Sequence, residues 1–248
     1  MSFMKPYQRV PIQDCGEPIV PIPLAEFAVE EPHPYVKLGA PYGDHSPYYL
    51  RQGVLEQLIQ AQRLLQQSHR QWRIQIFDAY RPIAVQQFMV NHALAEAVQA
   101  SGLSLTQLTD AQKQAFLDRV QQFWAAPSLD PATPPPHSTG AAIDVTLVDE
   151  WGQPVDMGSP IDEMSPRSYP DYYANWPATP AASAPLPQSG RYALFHQHRQ
   201  LLRQVMTAAG FEQHPQEWWH FSLGDQLWAW LVHQRLPEQL PLAHYGAI

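Results

Sequence analysis

Two periods run through the apolar positions of the chain, one typical of helices and the other of strands. In residues 50–68, apolar side chains recur at intervals of three and four, which predicts an amphipathic helix. Residues 73–80 alternate instead, with Ile74 and Ile76 on one face, as expected of a short strand. Residues 140–148 alternate more regularly between apolar and polar side chains, and they are the clearest strand in the sequence.

Proline and polar cap residues predict where further helices begin. Pro82 suits the start of a helix running to about Ala100, because the N–H that proline lacks would have no partner there. Thr109 and Gln112 have the spacing of a capping box, which indicates another helix ending near Trp124.

The last quarter of the chain is predicted to hold a helix over residues 191–209 and an aromatic strand over 217–223. Helices therefore cluster early, and strands are separated by long loops. This order favours an α+β fold with a small, mainly antiparallel sheet flanked by helices.

Proline is concentrated in two stretches of this chain. The 26 prolines are densest in residues 127–136 and 166–187, which we expect to be extended loops. Each stretch adjoins one of the polar motifs described below, so neither is interpreted as a linker. The prediction is one domain over residues 1–248.

Composition and charge exclude several classes of protein. Hydrophobic residues make up 45% and charged residues 15%, as in a globular protein. A net charge of −8 with only 15 Lys and Arg argues against binding nucleic acid. Cys15 is the single cysteine, so neither an intramolecular disulfide nor a cysteine-based zinc site can form. No window approaches the roughly 18 apolar residues of a membrane span. Without an evident signal peptide, a cytoplasmic location is expected, and a periplasmic one stays open.

Three short segments concentrate polar groups that can perform chemistry. His137 and Asp144 flank a turn and the start of the strand over 140–148. Glu217 lies three residues before His220, and Asp78-Ala79-Tyr80-Arg81 joins a strand to a helix. Two imidazoles and a carboxylate form a common open zinc site, in which zinc lowers the pKa of a bound water.

Plain structural explanations exist for each segment taken alone. A single histidine is often a surface or capping residue, and Asp144 could belong to an exposed strand face. Arg81 could form an ion pair with Asp78 that has only a structural role. His214 is a weaker rival ligand or a neighbour of Glu217.

Together, the segments resemble a known family. H-x-x-G-x-A-x-D, then E-x-W-H about 70 residues later, with D-A-Y-R-P before both, is similar to the D-alanyl-D-alanine dipeptidases and the related zinc D,D-carboxypeptidases. The resemblance runs from about Tyr35 to Ser222. It implies one Zn²⁺ per chain, in a cleft on the sheet, with His137, Asp144 and His220 as ligands.

The same resemblance assigns roles to four other residues. It implies that Glu217 is the general base for the water that zinc activates, and that Arg81 stabilises the transition state. The segment 157–162 is similar to one whose aspartate holds the free amino group of the substrate. This points to Asp162, together with Tyr35, as the amine-binding pair.

The chain also departs from the family pattern. Pro135 stands where the dipeptidases have a serine that helps to bind the substrate's carboxylate. An insertion near 101–130 and the proline-rich loop 166–187 lengthen the chain. The expected function is zinc-dependent hydrolysis of D-alanyl-D-alanine-type dipeptides, with a small peptide as the binding partner. The alternatives are a cell-wall D,D- or L,D-carboxypeptidase and a catalytically inactive zinc-binding relative.

Overall fold

The computed structural model describes residues 4–174 and 186–248, which fold into a five-stranded sheet, a separate strand pair and helices packed around them. The strands are β1 (Ile19–Pro21), β2 (Ala28–Val29), β3 (Tyr49–Arg51), β4 (Arg73–Asp78), β5 (Ala142–Val148), β6 (Glu212–Gln213) and β7 (His220–Ser222). The α-helices are α1 (Pro34–Lys37), α2 (Gln52–Ser68), α3 (Ile83–Ala100), α4 (Asp110–Phe123), α5 (Leu186–Ala208) and α6 (Gln226–Arg235).

The main sheet has the strand order β2-β4-β5-β7-β6. Only the short β2 runs parallel to its neighbour, and the other pairings in this sheet are antiparallel. Strands β1 and β3 form the separate antiparallel pair. The predicted α+β fold with a small, mainly antiparallel sheet is therefore confirmed.

Helix boundaries agree with the sequence pattern where caps mark them. At the start of α4, the Gln112 N–H donates to Thr109 Oγ1 over 3.3 Å, and the Thr109 N–H donates to Gln112 Oε1 over 2.9 Å, so the capping box is present. The predicted helix is thus confirmed as α4, and Val120 and the following Trp124 pack in one apolar cluster with residues of α3.

Two boundary predictions were wrong. Helix α5 begins at Leu186, so the end of the predicted loop 166–187 is helical, while residues 175–185 of that loop lie outside the described part of the chain. The predicted strand 217–223 is limited to β7. Its first residues form a turn instead, because the Glu217 N–H donates to His214 O and the Trp218 N–H donates to Ser168 O.

One face of the sheet carries the larger apolar core. Ile74 and Ile76 of β4 and Ile143 and Val145 of β5 are fully buried beneath α2 and α5. The polar residues of β5 alternate to the opposite face, where Asp144 lies. The sheet thus separates an apolar core from a polar face.

A β-bulge in β4 changes this alternation at the edge of the polar face. Ile76 pairs with Val145, but the register shifts before Asp78, which pairs with Asp144. Residues directly opposite in an antiparallel pair project to the same face. The bulge therefore turns the buried Asp78 away from the apolar core and towards Asp144.

The two chain ends pair with each other beside the sheet. The Gln13 N–H donates to Ala243 O and the Cys15 N–H donates to His244 O, both over 2.9 Å. The buried guanidinium of Arg51 joins these ends to the start of β5, since it donates to Glu17 O, Gly246 O and Thr139 O. Among the helices of the described residues, none has the length and apolarity needed to cross a membrane.

Candidate metal and substrate site

His137 lies in a short 3₁₀ turn, Pro136–Thr139, that leads into β5. Gly140 ends this turn in the left-handed region, with φ of +69°. Nδ1 of His137 is 2.8 Å from Ala79 O, which accepts its proton. In the neutral imidazole the lone pair is then on Nε2, which faces the site.

His220 and Asp144 are brought together by strand pairing, because they lie opposite each other in β7 and β5. The His220 Nδ1 atom is 3.0 Å from Asp144 Oδ1. The other ring nitrogen, Nε2, is 3.3 Å from Ser222 Oγ, whose own proton goes to Asp225 Oδ2 over 2.8 Å. Ser222 Oγ therefore accepts a hydrogen bond from Nε2–H, and the lone pair of the neutral ring is on Nδ1.

Three electron-pair donors thus converge in the interior. His137 Nε2 is 3.2 Å from His220 Nδ1 and 3.3 Å from Asp144 Oδ2. A tetrahedral zinc with bonds of about 2.0–2.1 Å separates its ligand atoms by about 3.3 Å. Two lone pairs and a carboxylate that face one another repel unless a cation lies among them. The donor set, its spacing and its burial therefore fit a zinc ion.

Glu217 lies beside this group without joining it. Its Oε2 is 3.8 Å from His220 Nδ1, and its Oε1 is 3.9 Å from His214 Nδ1. Burial raises the pKa of the Glu217 carboxyl to about 7. A carboxyl group with this pKa can accept and release a proton near neutrality. His214 is a neighbour of Glu217 and is not in the three-residue group.

Arg81 forms the ion pair with Asp78 that the sequence suggested, and it also lies at the candidate site. Its Nε donates to Asp78 Oδ2 over 2.9 Å and its Nη1 to Gln86 Oε1 over 2.9 Å. Its Nη2 is 3.4 Å from Asp144 Oδ2. The ion pair with Asp78 therefore exists, and it holds the guanidinium at the edge of the three-residue group.

Tyr35 and Asp162 meet although 127 positions separate them in the sequence. The Tyr35 hydroxyl donates to Asp162 Oδ2 over 2.8 Å. Asp162 has a positive φ of 66°, an uncommon conformation for a residue other than glycine. Burial, with the charge of Asp144, raises the pKa of the Asp162 carboxyl to about 8, and Arg81 partly opposes this shift. A cationic ligand would offset the cost of ionising this carboxyl.

A pocket with a volume of about 40 Å³ connects these groups, and it also holds residues that the sequence did not indicate. Its wall includes Lys5, which directly precedes the 3₁₀ turn Pro6–Arg9, and Tyr7, which lies in that turn. No motif or periodicity marks this turn, so the sequence offers no signal for it. The sequence also indicated only one partner for Asp78, namely Arg81. In the structure, the Asp78 carboxylate additionally contacts His33 Nε2 and the Tyr42 hydroxyl.

Comparison with known proteins identifies the family of this chain. The family model described as D-ala-D-ala dipeptidase (Peptidase_M15) matches residues 28–240. The chain belongs to this family. A protein of Synechocystis named D-alanyl-D-alanine dipeptidase is 51% identical over the full length of both chains. The family assigned from the motifs is thereby confirmed.

More distant members of the D-Ala-D-Ala dipeptidase family match part of the chain. A D-alanyl-D-alanine dipeptidase of Escherichia coli is 34% identical over 53% of this chain and 65% of its own. One of Enterococcus faecium is 37% identical over 36% of this chain and 37% of its own. The seven site residues predicted from the sequence lie inside the family match, whereas Lys5 and Tyr7 lie outside it.

Proposed function

We propose that this protein hydrolyses D-alanyl-D-alanine-type dipeptides and binds one zinc ion per chain through His137, Asp144 and His220. The convergence of His137 Nε2, His220 Nδ1 and the Asp144 carboxylate is the observation that carries the proposal. Family membership supports it, as does the Synechocystis relative at 51% identity over its full length. The catalytic unit is proposed to be one domain spanning residues 1–248.

Two other residues perform the proton transfer and the charge stabilisation in this proposal. Zinc in this position supplies a Lewis acid that activates water and polarises the scissile carbonyl. Glu217 accepts the proton of the attacking water and delivers it to the leaving amine. Arg81, held by Asp78 and Gln86, stabilises the negative charge that develops on the carbonyl oxygen.

Recognition of the free amino group is assigned to Asp162 with Tyr35. Their hydrogen bond fixes a half-buried carboxylate at the edge of the pocket, where a substrate ammonium is a suitable counter-ion. An acylated amine would leave this carboxylate desolvated and without a partner. The small pocket and this acidic group favour a dipeptidase over a carboxypeptidase that acts on longer peptides.

A substrate panel tests this function on the zinc-loaded protein. We expect hydrolysis of D-alanyl-D-alanine with a higher kcat/KM than for its N-acetyl form or for a longer cell-wall peptide. In Asp162→Asn this preference should fall by about 10- to 100-fold, because a charged contact to the amine is lost. Equal rates on free and acetylated dipeptide would support the carboxypeptidase alternative, and absence of all hydrolysis would support the inactive relative.

Metal analysis tests the ligand assignment separately. One zinc per chain is expected in the wild type, and much less in His137→Ala and His220→Ala. His233→Ala is the matched control, because that histidine lies near the end of α6 and outside the three-residue group. Wild-type zinc content in both ligand variants would refute the assignment.

A further inference from the structure

Lys5 brings a cation into the pocket from a part of the chain that lies outside the family match. Its side chain is partly buried, and no hydrogen bond or ion pair joins its ammonium group to any residue within 4–174 or 186–248. The burial lowers the pKa of Lys5, and the Glu217 carboxylate opposes this shift. A desolvated ammonium that makes no hydrogen bond or ion pair is costly, so an anionic ligand that bound it directly would lower that cost.

The backbone around Lys5 is fixed by the body of the protein. Lys5 precedes the 3₁₀ turn Pro6–Arg9, in which Tyr7 is buried. The side-chain amide of Gln226, at the start of α6, donates to Val10 O over 2.6 Å and to Gln8 O over 3.4 Å. The ammonium therefore extends from an anchored turn.

The other cation of the pocket already has its partners. Arg81 is engaged by Asp78, Gln86 and Asp144. Lys5, Asp162 and Glu217 all line the same pocket. Lys5 is therefore the cation of the pocket wall whose ammonium group makes no hydrogen bond or ion pair with the described residues.

A free dipeptide is a zwitterion whose two charged ends flank the scissile amide. When the ammonium end is at Asp162 and the amide faces Glu217, Lys5 is the cation of the pocket wall that is left to pair with the carboxylate end. Pro135 has neither a hydroxyl nor an N–H to offer this carboxylate. We propose that Lys5 binds the C-terminal carboxylate of the substrate and so replaces the contact that Pro135 lacks. This inference rests on the proposed dipeptidase function.

Replacing the carboxylate of the substrate by a neutral amide tests the contact. For wild type and Lys5→Gln, kcat/KM is compared between D-alanyl-D-alanine and D-alanyl-D-alaninamide. The wild-type preference for the acid should fall by about 10- to 100-fold in Lys5→Gln, mainly through KM, and Lys5→Arg should keep most of it. The preference is a ratio within one variant, so it does not depend on how much protein is folded.

Binding without turnover gives a second readout. In zinc-loaded Glu217→Gln, calorimetry measures the affinity for D-alanyl-D-alanine and for its amide, with and without Lys5→Gln. Lys5→Gln should weaken binding of D-alanyl-D-alanine by the same factor of about 10 to 100, and it should leave binding of the amide unchanged. Lys113→Gln, an exposed lysine of α4, is the matched control and should alter neither.

The outcomes separate this inference from the proposed function. If the wild type hydrolyses D-alanyl-D-alanine and Lys5→Gln keeps the full preference for the acid, Lys5 does not bind the carboxylate and the function still stands. If the wild type neither cleaves nor binds the dipeptide, the proposed function itself fails.

Discussion

The tautomers of His137 and His220 are set by neighbours outside the three-residue group. Ala79 O accepts a hydrogen bond from one ring, and Ser222 Oγ accepts one from the other while its hydroxyl donates to Asp225. Each imidazole therefore presents a lone pair to the same point. The zinc affinity proposed here depends on these contacts as well as on the ligands.

Ser222→Ala should therefore weaken zinc binding without removing a ligand. The His220 Nε2–H loses its acceptor, so the tautomer that leaves Nδ1 free is less favoured. A loss of about 10- to 100-fold in zinc affinity is expected, as for other residues that orient a metal ligand. Competition with a chromophoric chelator measures it, and the exposed Ser68→Ala is the control. Unchanged affinity in Ser222→Ala would show that Ser222 does not orient His220.

Glu217→Gln should separate metal binding from catalysis. The amide can fill the same space and cannot accept the proton, so kcat should fall by about 10²–10⁴-fold while zinc content stays at one per chain. Steady-state kinetics and elemental analysis of the same preparation check both parts. Glu56→Gln, on the exposed side of α2, should leave both unchanged. A kcat within tenfold of wild type would mean that another group is the base.

At the residue scale, the sequence could indicate groups that belong to motifs and no others. The resemblance of three motifs to a zinc peptidase family implied His137, Asp144 and His220 as a ligand set, and the structure brings these three together. Lys5 could not be found, because a lysine beside a short 3₁₀ turn carries no periodic or motif signal. Its position in the pocket depends on tertiary contacts with α6.

At the scale of elements, strand β4 shows why local pattern was only partly sufficient. Alternation correctly placed Ile74 and Ile76 on the core face, but it would have placed Asp78 there too. The bulge before Asp78 reverses that expectation, because one extra residue shifts all following side chains to the opposite face. A bulge is fixed by pairing with β5, so the sequence of β4 alone does not reveal it.

The turn between His137 and β5 gives a prediction about stability. In Gly140→Ala, the new Cβ would have a positive φ and would lie 2.9 Å from Ile248 Cδ1 and 3.1 Å from Ile19 Cγ2. The left-handed conformation alone costs about 1–2 kcal/mol, and crowding adds to it. The free energy of unfolding of the metal-free protein, measured in urea, should fall by about 2–3 kcal/mol.

Gly152→Ala is the matched control for this turn. Gly152 also has a positive φ, of +75°, but no atom lies within 4 Å of a Cβ added there. In Gly152→Ala the free energy of unfolding should fall by only about 1–2 kcal/mol, because the backbone conformation is the single source of strain. Equal losses in the two variants would mean that the contact with Ile248 does not constrain the turn.

At the scale of the whole molecule, Arg51 is the residue that joins the chain ends to the site. Its guanidinium donates to three backbone carbonyls and to Asp14 Oδ2, and the aromatic ring of Tyr245 is 5.4 Å away. The carbonyls belong to segments that are far apart in the sequence. No periodic pattern encodes contacts of one side chain with distant segments, so this role of Arg51 was not predicted. The overall α+β class was predicted.

Arg51→Ala should lower the free energy of unfolding by about 2–4 kcal/mol, because buried acceptors lose their donor. Arg51→Lys should retain only part of this free energy, since an ammonium cannot reproduce the planar set of donors. Chemical denaturation followed by tryptophan fluorescence measures both. Arg63→Ala, an exposed arginine of α2, should stay within about 0.5 kcal/mol of wild type. A similarly small change in Arg51→Ala would show that the hydrogen bonds of Arg51 do not contribute to stability.

The pairing of the two chain ends has an evolutionary consequence. Val10 and Ala243 pack with Ala229 of α6 in a small cluster, and the first two lie outside the region that the family model matches. A larger side chain at one of these positions leaves less room at the others. Across full-length relatives, the volumes at positions 10, 229 and 243 should therefore covary. The two segments would then drift together, while the proposed metal ligands between them stay constant.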